Sequence, residues 1–289
     1  MIYQKLLIVA KRSRYELLCK QNGKKRIDAL VKKRDRAIRN ILRSHGDHLR
    51  LLKKVTAFLD RKGIRYKLAG AFERRPQGTF DLILTLGGDG TFLWASHSVT
   101  DAHMLGINST PRISIGVFCA ADANNFKKVL TSAMEGRMPV LKLARIEAKV
   151  SGKSTGALAL NDILFAHEIP AATSRYFLRI GDIEEEQRSS GVWIATAAGS
   201  TAAVRSAGGR IMPIESKRIQ YIVREPFDKE ISNLKGFIEP EGEVRIRAKM
   251  NHGRIFIDGA HDHVDVPFGG TVVLKPSAKP LSVLGIRRK

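Results

Sequence analysis

Two textures of hydrophobic and polar positions follow one another along the chain. In the first, short apolar runs alternate with amphipathic stretches. Residues 5–10 (Lys-Leu-Leu-Ile-Val-Ala) read as a buried strand rather than a leader, because Lys11, Arg12 and Arg14 follow at once and no cleavage site appears. Across residues 28–62, Val31, Ile38, Leu42, Leu49, Leu52, Val55 and Leu59 recur at spacings of three, four and seven. That is the apolar stripe of a helix, with a break expected at Ser44-His45-Gly46-Asp47. Strands are expected at 65–69, 81–86 and 103–108, a helix just after Gly90, and another over 124–135. Strand–helix alternation implies a mainly parallel sheet covered by helices.

Past Pro139 the texture changes. Short runs dominate, at 141–150, 157–165, 176–180, 192–196, 219–222, 244–249, 254–257 and 271–275, separated by turn residues. The fold class is therefore an α/β N-terminal domain with a mainly parallel sheet, followed by a β-rich C-terminal domain. The closing Arg287-Arg288-Lys289 is expected to fray.

Composition narrows the class. A hydrophobic content of 43% fits a globular core, and the apolar runs are too short to span a bilayer. Cys19 and Cys119 lie far apart and match no metal spacing, so two reduced thiols in a cytoplasmic protein are expected. The net charge is +22, and residues 11–67 alone hold 20 Lys/Arg against 5 Asp/Glu. Such a field attracts anions: nucleotides, polyphosphate, nucleic acid or acidic membrane. The apolar stripe within that segment makes its charges a solvated helix face, and no aromatic interleaving marks a nucleic-acid surface.

The most informative segment is Leu82-Ile83-Leu84-Thr85-Leu86-Gly87-Gly88-Asp89-Gly90-Thr91. An apolar strand runs straight into two glycines, an acid, a third glycine and a hydroxyl residue. In open α/β sheets ligands sit outside the carboxyl ends of the strands. Glycines there let the backbone approach a phosphate, and the amides opening the next helix favour anions. A carboxylate would repel a merely bound phosphate. It makes sense as the acceptor of a proton from an attacking hydroxyl. Neither a dinucleotide-binding Gly-x-Gly-x-x-Gly nor a Walker loop is present.

Gly87-Gly88-Asp89-Gly90-Thr91 resembles the signature shared by NAD kinases, diacylglycerol and sphingosine kinases and, more loosely, phosphofructokinases. Ala159-Leu160-Asn161-Asp162 resembles the Ala-Leu-Asn-Glu segment of NAD kinases, with a shorter acid at Asp162. Residues 189–209 resemble their second glycine-rich segment, matching at Gly191, Thr196, Gly199, Ser200, Thr201, Ala202, Ser206, Gly208 and Gly209. Ser190 stands in place of the usual aspartate, Ala197 of proline and Ala203 of tyrosine, in the manner of the divergent mitochondrial branch. Leu105-Gly106-Ile107-Asn108 is similar to the family's Gly-Val-Asn segment, and Ile257-Asp258-Gly259 to its closing hairpin.

The resemblance runs from Asp81 to about residue 275. It implies the two-domain NAD kinase-like fold, with an α/β nucleotide-binding domain over 1–118, a β-rich NAD-binding domain over 119–275, and a tail, 276–289, returning to the first. It implies transfer of a γ-phosphoryl group to the 2′-hydroxyl of the adenosine ribose of NAD(H), with Asp89 as catalytic base. Gly88, Gly90, Thr91, Asn108, Asn161, Asp162, Arg188, Thr196, Gly199, Ser200, Thr201, Ala202 and Ser206 would bind substrate, and Arg205, Arg210 and Lys217 are candidates to neutralise phosphate charge. Mg2+ would accompany ATP or another donor such as polyphosphate, the protein itself supplying no dedicated metal site. A homodimer or homotetramer is implied, with no membrane partner. His261-Asp262-His263 lacks a third ligand for zinc and reads as a polar hairpin loop. Two alternatives stay open: a lipid kinase of the diacylglycerol or sphingosine type, and a non-catalytic nucleotide- or nucleic-acid-binding protein on the same fold.

Overall fold

The computed structural model describes residues 2–33, 35–73 and 78–286. They form two units. One holds the chain up to Ala95, Asp101–Leu141 and the stretch from Ser282; the other holds Ser96–Thr100 and Lys142–Leu281.

The first unit is built on β1 (Leu6–Ala10), β2 (Tyr66–Gly70), β3 (Leu82–Gly87), β4 (His103–Asn108), β5 (Cys119–Asp122) and β6 (Val140–Leu143). The sheet order is β2-β1-β3-β4, then the returning strand Leu281–Leu284, then β6; β5 also pairs with β4. The pairings of β1 with β2 and β3, and of β4 with β3, β5 and the returning strand, are all parallel. β1 and β3 are buried along their whole length. That explains why they read as continuous apolar runs: a parallel strand covered on both faces has no polar side.

The helices are α1 (Arg14–Asn22), α2 (Lys24–Lys32), α3 (Arg36–Arg61), α4 (Asp89–Ser96) and α5 (Phe126–Met134). The α1 helix, absent from the sequence expectation, is opened by a reciprocal cap: the Ser13 hydroxyl accepts the Glu16 amide while Glu16 accepts the Ser13 amide. The expected interruption at residues 44–47 does not occur, and α3 runs through them. Gly46 costs a helix only about 1 kcal/mol, which the buried face of α3 offsets. That face is Ile38, Leu51, Val55, Phe58 and Leu59, whereas Leu49, assigned to it by spacing, is exposed.

The second unit consists of two six-stranded antiparallel sheets. One runs Ile183–Ser189, Ser174–Ile180, Val244–Ala248, Thr271–Pro276, Ile146–Val150 and Lys153–Ala159. The other runs Lys235–Ile238, Ile219–Val223, Val192–Ala195, Asp162–His167, Gly253–Ile257 and Asp262–Val266. A single apolar cluster joins them, with Ile163, Phe165, Val192, Ile194 and Ile255 from one sheet and Tyr176, Leu178, Val244, Ile246 and Leu274 from the other. Alternation is clean where one face meets water: Val244–Ala248 is buried at every second residue.

The expected runs 141–150 and 157–165 each resolve into two strands, and the strands missed altogether include the sheet edges Ile183–Ser189, Lys235–Ile238 and Asp262–Val266. Edge strands carry charge on purpose. Glu184 and Glu186 bond Arg247 and Lys249 two strands away. The His261-Asp262-His263 run is likewise the start of a strand rather than loop throughout. The expected fraying of 287–289 lies outside the described residues. No helix among the described residues is long and apolar enough to cross a membrane.

Candidate functional site

In the first unit the site begins where β3 ends. Gly87 has no room for a side chain, because a Cβ there would fall on the Thr91 side chain; one on Gly88 would fall on Ser114 Oγ. Thr91 can therefore fold back against the strand end, where it is buried. The Gly88 carbonyl accepts the Thr91 and Phe92 amides at 3.1 and 3.3 Å, winding the first turn of α4. Asp89 is the first residue of that helix. Its Oδ1 accepts the Phe118 amide at 2.9 Å, which fixes the carboxylate while Oδ2 makes no hydrogen bond among the described residues. Gly90 is exposed beside it. The Asp89 charge also bears on Cys119, whose thiol is pushed up to about 12, first by burial and then by that charge. Cys119 stays a neutral thiol, and both cysteines are free.

Asn108 ends β4, and both ends of its amide work inside the loop that follows. Its Nδ2 donates to the Ser114 carbonyl and its Oδ1 accepts the Thr110 amide, each at 3.0 Å. Thr110 is also reached by Lys11, whose ammonium donates to Thr110 Oγ1 at 3.0 Å. Burial lowers the Lys11 pKa, with Asp47 acting against it. Lys11 follows β1 directly, its amide bonded to the Leu86 carbonyl. It is thus a cation at the carboxyl edge of the sheet, masked in the sequence by the many basic residues after it.

In the second unit the segment Leu160-Asn161-Asp162 turns between two strands and is held from two sides. On one side, Thr196 donates its hydroxyl to the Leu160 carbonyl at 2.5 Å and its amide to the Asn161 carbonyl at 2.9 Å. Gly199 packs so closely that a Cβ would overlap the Asn161 main chain, and its amide donates to Thr196 Oγ1 at 3.1 Å. On the other side, the Asp258 carboxylate accepts three consecutive amides, Leu160 at 2.8, Asn161 at 2.7 and Asp162 at 3.0 Å. Asp258 in turn donates its own amide to the Asp162 carbonyl at 2.9 Å.

Two polar groups are left with work to do. Asn161 Oδ1 is buried and unpartnered. Asp162 is 5% exposed, and burial, then the Asp258 charge, raises its carboxyl to about 7. A group poised near neutrality in a tight site is a functional candidate.

The other expected positions divide by role. Ser200 is buried and builds the loop, donating to the Ala197 carbonyl and accepting the Met212 amide. Thr201, Ser206 and Arg205 present exposed side chains, and Ala202 links the 3-10 turn Ala198–Thr201 to the one-turn helix Ala203–Ser206. Arg188 is exposed on an edge strand. Arg210 and Lys217 are exposed near Gln220, which brackets the Arg210 main chain. Near Ser190 a cleft of about 280 Å³ is lined by Trp193, Arg224, His167 and Phe256. Among the described residues no group of three or more His, Cys, Asp or Glu could hold a metal ion.

Residues 6–138 match a family model described as the ATP-NAD kinase N-terminal domain. A probable NADH kinase of rice (Oryza sativa subsp. japonica) is 34% identical over 268 residues, covering 84% of this chain and 82% of the relative. An NADH kinase of Arabidopsis thaliana is 34% identical over 262 residues, covering 82% and 83%. Among solved structures, an NAD kinase from Archaeoglobus fulgidus in complex with ATP superposes with a TM-score of 0.70 at 22% identity, covering 99% of this chain and 94% of that one. Yeast NADH kinase complexed with NADH gives 0.69 at 16% identity, covering 99% and 84%.

Proposed function

Because the chain belongs to the NAD kinase family, we propose that it transfers the γ-phosphoryl group of ATP to the 2′-hydroxyl of the adenosine ribose of NAD or NADH. The observation that carries this reading is Asp89, a carboxylate at the first residue of α4 with one oxygen anchored on the Phe118 amide. Phosphoryl transfer asks a protein mainly for positioning and charge neutralisation. The bond that forms joins the ribose 2′-oxygen to the γ-phosphorus. The bond that breaks joins that phosphorus to the β,γ-bridging oxygen, which leaves with ADP. The hydroxyl proton passes to Asp89, a step worth about 10²–10⁴-fold in rate. Gly88, Gly90 and Thr91 would hold phosphate against the opening of α4.

Asn161 and Asp162 would contact the dinucleotide, the first through its unpartnered Oδ1 and the second as an acceptor for ribose hydroxyls. Thr196, Gly199 and Ser200 support that segment, and Thr201, Ala202 and Ser206 would line it. Mg2+ would arrive on the triphosphate and neutralise its oxygens. Polyphosphate as an alternative donor to ATP, a homodimer or homotetramer, and a cytoplasmic location are further parts of the proposal, the oligomer being testable by light scattering. The comparisons lend no support to a lipid acceptor or to a non-catalytic binding protein.

The test is incubation with ATP and Mg2+ and either NAD or NADH, with NADP(H) read by a coupled dehydrogenase. Product from neither acceptor would end this reading.

A further inference from the structure

The proposed reaction leaves a buried histidine unused. His97 follows directly on α4. Its side chain is 1% exposed and lies between two carboxylates, with Nε2 2.9 Å from Asp258 Oδ2 and Nδ1 2.8 Å from Asp262 Oδ2. A neutral imidazole donates from one nitrogen and accepts at the other. In that form one of the two contacts would set a lone pair against a carboxylate oxygen. The imidazolium alone donates to both. Burial opposes the charge, but the bonds to Asp258 and Asp262 outweigh it and hold the ring above the ordinary histidine value.

Asp258 Oδ2 is shared: it faces His97 and accepts the Leu160 amide, while Oδ1 accepts those of Asn161 and Asp162. Its side chain is fully buried, and its backbone sits at φ +49°, a left-handed conformation that a non-glycine residue adopts only when held there. The His97 carbonyl also accepts the Leu158 amide at 3.3 Å, so the same residue grips the strand that leads into the turn.

The geometry points to His97 as a positioning residue for dinucleotide binding: through Asp258 it fixes the main chain of Leu160–Asp162, and with it the direction in which Asn161 and Asp162 are presented. The inference rests on the proposed contact of those two side chains with NAD(H). The charged groups bearing on the ring are Asp258, on the turn after Gly253–Ile257, and Asp262, which opens the edge strand. Asp162, which opens the strand beside them, senses the Asp258 charge in turn.

The test compares the full chain with His97→Gln, which keeps one donor, and His97→Leu, which keeps none. Amide hydrogen exchange at residues 160–162 should accelerate at least tenfold in His97→Leu and less in His97→Gln, with β3 unchanged. The KM for NAD(H) should rise about tenfold or more in His97→Gln, while the KM for ATP stays within twofold. A folded His97→Leu with unaltered exchange at 160–162 overturns the inference, as does a uniform fall in kcat with both KM values unchanged. A wild-type chain that forms no NADP(H) refutes the proposed reaction instead, and the exchange measurement still decides whether His97 holds the turn. Should both variants fail to fold, the wild-type pH profile takes over. Above the Asp162 titration near pH 7, the KM for NAD(H) should climb as the ring loses its proton. A KM for NAD(H) that stays flat across the pH range in which the His97 ring signals in NMR show it losing its proton overturns the inference.

Discussion

Replacing Asp162 by asparagine removes a buried charge without changing the shape of the side chain. In the folded protein burial, followed by the Asp258 charge, lifts this carboxyl from its ordinary 3.8 to about 7. A group that binds its proton more tightly when folded favours the folded state at low pH. Its contribution is full below the unfolded value of 3.8, erodes as the pH climbs, and is gone above about 7. The span is about three pKa units, and each unit corresponds to 1.36 kcal/mol, so ionised Asp162 carries a cost of up to about 4 kcal/mol at pH 8.5. If half of that is recovered, Asp162→Asn is about 2 kcal/mol more stable there. For a unit of this size that is roughly 4–8 °C in Tm. At pH 4 the two proteins should melt together. Calorimetric scans of both proteins from pH 4 to pH 9 provide the assay. A Tm difference that does not vary with pH, or a wild type that is the more stable at pH 8.5, would refute the reasoning. The same variant should lose kcat/KM for NAD(H) at pH 8.5, since a strained charge in a site is kept for its use.

Asp89→Asn should lower kcat by about 10²-fold or more while retaining NAD(H) affinity in equilibrium binding, because the amide oxygen can still accept from Phe118. Gly199→Ala places a methyl against the Asn161 main chain, and kcat/KM for NAD(H) should fall at least roughly tenfold as the turn shifts. Arg145 is completely buried, its pKa lowered to about 10 by burial, and it donates to the carbonyls of Ser96, Val99 and Lys279. Arg145→Met should lose about 3 kcal/mol in urea unfolding, with the midpoint moved and the slope kept, as the buried carbonyls of Ser96 and Val99 lose their guanidinium donor.

What could be read from the sequence depended on how local the cause was. β1 and β3 declare themselves because both faces of a parallel strand are buried, and the glycine–aspartate loop because its residue types are odd for a turn at a strand end. The edge strand Ile183–Ser189 hides behind its glutamates, whose partners Arg247 and Lys249 lie more than sixty positions away. Helical spacing chose Leu49 where the fold buries Leu51, since periodicity alone sets a stripe only to within a residue or so. The support of Asn161 was invisible for the same reason. In the sequence Asp258 stands out only as part of a hairpin, and nothing near His97 in the chain suggests the carboxylates 161 and 165 positions on. Thr196 and Ser200 read as ligand contacts, and in the fold their hydroxyls are bonded to the protein itself.

The returning strand Leu281–Leu284 lies between β4 and β6, inside the first sheet rather than at its rim. During synthesis β1 to β6 leave the ribosome early, and the strand that joins β4 to β6 emerges only after almost all of the second unit. Domains tend to fold in the order they are made; here the second unit has its strands before the first sheet is whole. Until then β6 and the His103–Met104 end of β4, which β5 does not cover, present open edges, the kind of surface on which chains aggregate. A stop codon just ahead of Leu281 would therefore remove the middle of a sheet instead of trimming an end.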